Sequence, residues 1–594
     1  MRKNMKSYKY IAISLAVATL GFTSCGDDFL DQVPDERVEV LTLEQTVQLI
    51  ASAYSAANYG WLCECSSDNI IDINAPFYAT QSNGTRIRVH YNLNSYGRMD
   101  DEIYKFEPVR SSTDSDSPSS IWENCYNAIA TVNHALEILD KIRMIDYPGK
   151  KLEELSQEMQ AAYGEAYLSR AYHHFILVSI FSQAYKNEEA SKKDVGIPYA
   201  TTAEDVVLVD YDRSNVTETY KKIQEDLERG LSLISDVNYK VPKWHFNIAA
   251  AHAFAARFYL FKRDYDKVIE HANAVLGEDA SNLQAKLMDY AAFADCTNST
   301  DYAEVWQGPK QANNLMLLAT YSIQWRRQIG HRYACAGDAL RDIEFHLGPN
   351  WRWYLMPTAG VSGGTFWDGT SDHGFTSARI AERFEYTDKV AGIGYAHVIR
   401  REFTATELLL ERAEAKLLKQ NPDIDGFIED ILAYDNNRFT FGDEDNKFYR
   451  ASNALQDLTR DMIESYYINT THSNVFENWD FTQNMSADFV VPQEHVVYMN
   501  CLNDMRRFET AYTGLRFFDL KRWGIEYNHV YGFNNDTGEF LEDIHLAWDD
   551  PRRAIEVPQE VLSAGMASSQ TPVTGNNNGG SYLRFDDFRN VHNK

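Results

Sequence analysis

Ser362 sits in Gly360-Val361-Ser362-Gly363-Gly364, the spacing of a nucleophile elbow, which needs a strand before it and a helix after it. Pro357 precedes the motif and a Gly-Thr-Phe-Trp-Asp-Gly run follows, so neither flank supplies the required element. Asn421 to Gly426 places Asp423 and Asp425 as in the start of a calcium loop, but the position that needs a bidentate Glu is Leu432, and the stretch reads as a turn between helices. His173 and His174 are adjacent within a helical pattern, point apart and cannot share one metal. The 86 carboxylates leave room for a glycosidase acid/base pair that sequence alone does not locate. Neither a P-loop nor a dinucleotide fingerprint is present, so no cofactor and no metal is expected.

Flat rings are the more informative chemistry. Aromatic residues make up 13% of the chain, with 36 Tyr, 30 Phe and 11 Trp. Sugars present flat C–H faces that stack on Trp and Tyr, with a few amide and carboxylate hydrogen bonds to fix them. Two loop-rich regions hold such residues. Trp61, Tyr78, Tyr91 and Tyr96 lie in the first, with Asn92 and Asn94 as amide partners. Trp351, Trp353, Trp367, Asp368 and His373 lie in the second, an interval from 277 to 400 where helical periodicity fades and Trp306 and Trp325 also occur. The structural alternative for each ring is that it plugs its loop onto the core.

The elements that must hold these loops are helical. Residues 249–276 read as two helices about a polar turn at Lys262, Arg263 and Asp264. Ala249, Ala253 and Ala256 accompany Phe254, Phe258 and Tyr259 in the first half, and Val268, Ile269, Ala272 and Leu276 recur at helical spacing in the second. The pair is similar to a tetratricopeptide unit, with His252 where that template has Trp, Arg263 where many repeats have Gly and Val268 where it has Ala. One such pair cannot bury its own apolar face, so further pairs are expected. The same periodicity predicts helices over 43–57, 121–145, 159–184, 216–234, 404–418, 452–469 and 501–523, with 121–145 against 159–184 and 216–234 against 249–262.

A formal charge of −29 disfavours a nucleic-acid partner, whose binding rests on clustered Lys and Arg. Arg2, Lys3, Lys6 and Lys9 precede an apolar run from Tyr10 to Phe22 closed by Thr23, Ser24 and Cys25, the layout of a secretory signal over residues 1–24. Cys25 after small residues is similar to a bacterial lipobox, with Phe22 where Leu is usual. Acyl chains on Cys25, at about 0.8 kcal/mol per buried methylene, would hold the chain at a membrane. The six later cysteines are too few for a disulfide framework in a chain this long and read as buried thiols or one incidental bridge.

From Cys25 onward the chain resembles a known family. Cys25-Gly26-Asp27-Asp28-Phe29-Leu30-Asp31 with Pro34 is similar to the start of SusD/RagB-type outer-membrane lipoproteins of the Bacteroidetes. Arg170-Ala171-Tyr172 with Gly196-Ile197-Pro198, the helix carrying Glu407, Arg412, Glu414 and Ala415, the segment Arg506 to Gly524 with Thr513 where the family usually has Glu, and Ala554 to Glu560 continue the resemblance almost to the C-terminus. The resemblance implies a mainly α, tetratricopeptide-like fold with a loop-built ligand face. It implies a non-enzymatic surface lipoprotein, anchored through Cys25 in the outer membrane and facing outward. Such a protein binds oligosaccharide and passes it to a SusC-like TonB-dependent transporter. The glycan site would be an aromatic arc from the two loop regions, with Tyr91, Asn94, Tyr96, Trp351, Trp353, Trp367, Asp368 and His373 as its residues. Two other readings are peptide capture, as in RagB-type relatives, and a lipid-anchored hydrolase. The expected organisation is a signal at 1–24, then regions 25–240 and 241–594 packed as one unit.

Overall fold

The computed structural model describes residues 42–74, 77–80, 86–89, 97–203, 213–278, 282–293, 296, 299–328, 331–335, 339, 343, 348–349, 365–367, 375–437, 457–468, 479–483, 489–532 and 542–570. The fold is mainly helical, as the sequence reading expects. Its N-terminal helices are α1 (Leu43–Ala51), α2 (Gly60–Cys65), α3 (Arg98–Tyr104), α4 (Pro118–Asp146) and α5 (Gln157–Phe181). Helix α4 starts where Ser117 Oγ accepts from the Ser120 amide at 3.0 Å with Pro118 in the first turn, and Ser156 caps α5 in the same way. The pattern over α5 is apolar on nearly every side, and the helix is buried almost throughout, which makes it the central rod. Helix α4 packs on one side of it and α6 (Val216–Leu233) on another. Glycines set the second approach. A Cβ on Gly164 would lie 2.7 Å from the Ile234 nitrogen, and one on Gly230 would lie 3.0 Å from the Gly164 carbonyl oxygen.

Helices α7 (Ile248–Lys262) and α8 (Tyr265–Leu276) form the hairpin read from the sequence. Arg263 occupies the turn with φ +65°, a left-handed conformation that costs a non-glycine residue about 1–2 kcal/mol. Its guanidinium donates to the Arg522 carbonyl at 3.1 Å and lies over the Phe489 ring, contacts that a glycine there would lack. Helix α6 lies mainly along α5 and touches α7 more lightly, while α7 takes α8 as its chief partner.

Residues 299–404 add α9 (Ser299–Trp306), α10 (Gln324–Gln328) and strands that helical periodicity did not reveal. Strands β4 (Asn314–Tyr321), β8 (Glu382–Asp388) and β9 (Ile393–Thr404) form an antiparallel sheet in the order β4-β9-β8. Strands β1 (Ile71–Asp72), β2 (Phe77–Thr80), β3 (Arg86–Val89), β5 (Tyr333–Ala334), β6 (Thr365–Trp367) and β7 (Phe375–Ser377) make short ladders, β1 with β5, β2 with β3 and β6 with β7. Strand β9 runs straight into α11 (Ala405–Leu418), capped by Thr404, and α12 (Ile424–Asn437) returns against it. Asp423 Oδ1 accepts from the Gly426 amide at 3.0 Å, so the calcium-loop-like stretch is a helix–helix turn.

Three helix boundaries differ from the sequence reading. The helix expected over 43–57 ends at Ala51. Within 452–469 the described helix is α13 (Arg460–Tyr467). The helix expected over 501–523 is two, α14 (Val496–Glu509) and α15 (Leu515–Trp523), followed by a hairpin of β10 (Tyr527–Tyr531) and β11 (Glu542–Leu546). Tyr512 and Gly514 take φ +68° and +84° at the break, and the buried Glu64 carboxylate accepts from both of their amides, at 2.9 and 3.0 Å. The α2 backbone and Cys63 lie against Gly514, leaving no room for a side chain there.

Several charged residues of the segments that carry the resemblance form buried ion pairs. Arg170 forks onto Asp226 at 2.6 and 2.7 Å, and Arg412 onto Asp430 at 2.6 and 3.0 Å. Asp519 accepts from both Arg506 and Arg522, and Glu414 accepts from Arg522 and from the Trp523 indole. Arg516 does not pair with Asp519 as its spacing allows; it reaches Asp68 and Asn503 instead. Burial pushes the Asp519 carboxyl up, but Arg506 and Arg522 outweigh it and hold it below the usual carboxylate range. His173 and His174 are buried and each ties a helix carbonyl to a distant amide; burial holds both below the usual imidazole range, His173 at about 4. All six cysteines after Cys25 are buried.

Candidate functional site

The two regions that carry the candidate rings are rooted side by side. Strand β1 pairs with β5 through Ile71–Ala334 and Asp72–Tyr333, so the chain leaves for residues 75–96 beside the point where it leaves for residues 336–364. Arg332 forks onto Asp72 at 2.6 and 2.8 Å across this junction. The chain re-enters at Gly97 and α3, where Asp100 accepts from the Trp61 indole at 2.7 Å and from Arg327 of α10 at 2.9 Å. Helix α10 packs against β5 and against β7, so the return of the second region also falls here. Tyr104 stacks between Tyr333 and His529, with centroids 4.6 and 4.2 Å away, and stiffens the base.

A cleft of about 360 Å³ opens beside this base, lined by Trp325, Arg326, Glu304, Ala381, Glu382 and Arg383 among others. Its walls are two cross-element ion pairs, Arg326 with Glu382 and Arg383 with Glu304. Glu382 Oε2 and Arg383 Nε are buried there without a protein hydrogen-bond partner. Trp325 is half-buried against the main core. A cleft with an indole and convergent polar atoms suits a polyol. On the far side of Glu304 lies a larger hollow, of about 680 Å³. Its one ring, Tyr290, is buried among Phe293 and Trp306, and Gln311 and Asp289 satisfy each other, so it offers no open face for stacking.

Among the sequence candidates, Trp61 is corrected: it is fully buried, and its indole N–H is spent on Asp100, so it belongs to the core. Trp367 lies on β6 opposite Phe375, and Tyr78 on β2 opposite Arg88. Tyr91, Asn92, Asn94, Tyr96, Trp351, Trp353, Asp368, His373, Ser362 and Cys25 lie outside the described residues. Sequence reasoning did not select Trp325, because only the fold brings it to Glu382 and Arg383. Among the described residues no three metal-ligating side chains cluster, and no helix is long and apolar enough to cross a membrane.

Comparison with known proteins finds the same helical fold among SusD superfamily structures. Residues 28–260 match the family model SusD-like_3, described as starch-binding associating with outer membrane. A SusD superfamily structure from Bacteroides thetaiotaomicron aligns with TM-score 0.54 at 16% identity, covering 89% of this chain and 98% of that one. One from Bacteroides fragilis gives 0.55 at 16% identity, over 88% and 96%. A SusD-like carbohydrate binding protein from Bacteroides vulgatus gives 0.51 at 14% identity, over 90% and 99%. No curated protein matches. The chain has a SusD-like fold along most of its length, and its residues 28–260 match the SusD-like_3 model.

Proposed function

We propose that this chain is a surface glycan-binding lipoprotein that captures oligosaccharides and delivers them to a SusC-like TonB-dependent transporter. The observation that carries the reading is the β1–β5 junction, which roots both aromatic-rich segments at one rim beside the Trp325 cleft. In this reading Tyr91, Asn94, Tyr96, Trp351, Trp353, Trp367, Asp368 and His373 serve as stacking rings and hydrogen-bonding partners of the sugar. Cys25 is the lipid anchor and the outer membrane the location, in keeping with the starch-binding, outer-membrane description of the matching family model. The role is capture rather than catalysis. Rigid roots lower the ordering cost of binding, which is what a receptor needs.

Isothermal titration against soluble oligosaccharides and against basic peptides tests the reading. Saturable heat with at least one oligosaccharide, and none with the peptides, is expected. Binding of peptides alone would overturn it in favour of peptide capture, and release of new reducing ends from the sugars would overturn it in favour of a hydrolase.

A further inference from the structure

Where β4 pairs with β9, the sheet has one face on the core and one face outward. Thr320 and Val398 point inward and are buried, whereas Ala319 and Tyr321 are exposed. Directly paired residues of antiparallel strands share a face. The pairs Tyr321–His397, Arg383–His397 and Glu385–Tyr395 therefore put Tyr321, His397, Arg383, Tyr395 and Glu385 on the outward face together. The rings of Tyr321 and Tyr395 meet edge to face, with centroids 4.5 Å apart and planes at 73°. Such a corner offers an open ring surface, and Tyr321 keeps 39% of its area exposed.

Two half-buried polar side chains, His397 and Arg383, border this surface. His397 Nδ1, in the row next to Tyr321, and Arg383 Nε, one strand further, are buried without a protein partner. A buried polar atom of this kind calls for a hydrogen-bonding partner. Arg383 also lines the cleft beside Trp325, so the ledge and the cleft are one continuous surface. Two strand spacings, about 10 Å, separate the Tyr321 row from Arg383, room for more than one sugar ring.

We propose that this outward sheet face is a second carbohydrate subsite, in which Tyr321 and Tyr395 stack a pyranose ring and His397 and Arg383 take its hydroxyls. The assignment rests on the glycan-binding reading and extends it to a longer ligand than the rim alone would hold. The alternating rings and orphaned polar atoms favour a polyol over an apolar protein surface.

The test uses native affinity electrophoresis in gels containing amylopectin, xyloglucan, galactomannan or arabinan, followed by titration with the hexasaccharide and disaccharide of whichever polymer retards the wild type. Tyr321→Ala with Tyr395→Ala is expected to weaken hexasaccharide binding tenfold or more while changing disaccharide binding less than threefold. Tyr321→Phe with Tyr395→Phe, which keeps both stacking faces, should retain most of the affinity. His397→Ala gives an independent readout in the same direction should the double alanine variant melt early. Retardation of the wild type with equal hexasaccharide affinity in the alanine and His397→Ala variants would overturn the subsite and leave glycan binding standing. Failure of all four polymers to retard the wild type would overturn the glycan reading and the subsite with it.

Discussion

Replacing Glu414 by Gln tests whether the buried charges around Trp523 are structural. Glu414 is fully buried and accepts from Arg522 at 2.7 Å and from the Trp523 indole at 2.9 Å, while Asp519 binds Arg506 and Arg522. Two carboxylates thus face two guanidinium groups. The substitution keeps the shape but leaves two buried cations facing one anion. Removing one partner of a buried pair costs about 3–5 kcal/mol. With an unfolding entropy near 2.1 cal/mol/K per residue, a chain of 594 residues has a slope of about 1.2 kcal/mol per degree, so Tm should fall by about 2.5–4 °C. Restoring neutrality with Arg522→Met in the same molecule should recover part of the loss, giving a coupling of about 1–3 kcal/mol in the double-mutant cycle. Differential scanning calorimetry and urea titration of the wild type, both single variants and the double variant measure it. A single-variant Tm within about 1 °C of the wild type, or strictly additive losses, would refute the reasoning.

Lys521 is buried, donates to the Ser179 and Ser182 carbonyls at 2.6 and 2.7 Å, and is pushed down to about 7 by burial. Because the folded value lies below the unfolded one of about 10.4, the unfolded chain binds the extra proton between them, and stability from this group rises with pH across that window. Relative to Lys521→Met, the wild type should gain up to about 1.4 kcal/mol per pH unit from pH 7 to 8.5, read from urea midpoints; a constant difference would contradict it. Gly164→Ala should destabilise the protein although alanine favours a helix by about 1 kcal/mol, since its Cβ would press on the backbone of residues 233–234. A raised melting temperature for that variant would show that α5 and α6 can move apart at no cost.

The helical frame was legible because its signals are local. The α7–α8 hairpin carries its own period and its own caps, Asn247 and Asp264. What escaped the sequence depends on partners far along the chain. Strand β4 is an apolar run that a helix would also use, and its partner β9 lies some 80 residues on. The break between α14 and α15 is made by Glu64, 448 residues before Tyr512. Trp61 looked like a loop ring because nothing near it reveals the Asp100 acceptor. The two aromatic-rich stretches were legible in composition, but the β1–β5 junction between them follows from a pairing between residues about 260 apart, which composition does not encode.

Hydrogen–deuterium exchange of the protein, with and without an oligosaccharide it binds, tests the central claim most directly. Protection should appear at residues 72–98, 324–335 and 375–397, with α4, α6 and α8 unchanged. Protection confined to those helices, with the β1–β5 rim and the sheet unaffected, would contradict the account.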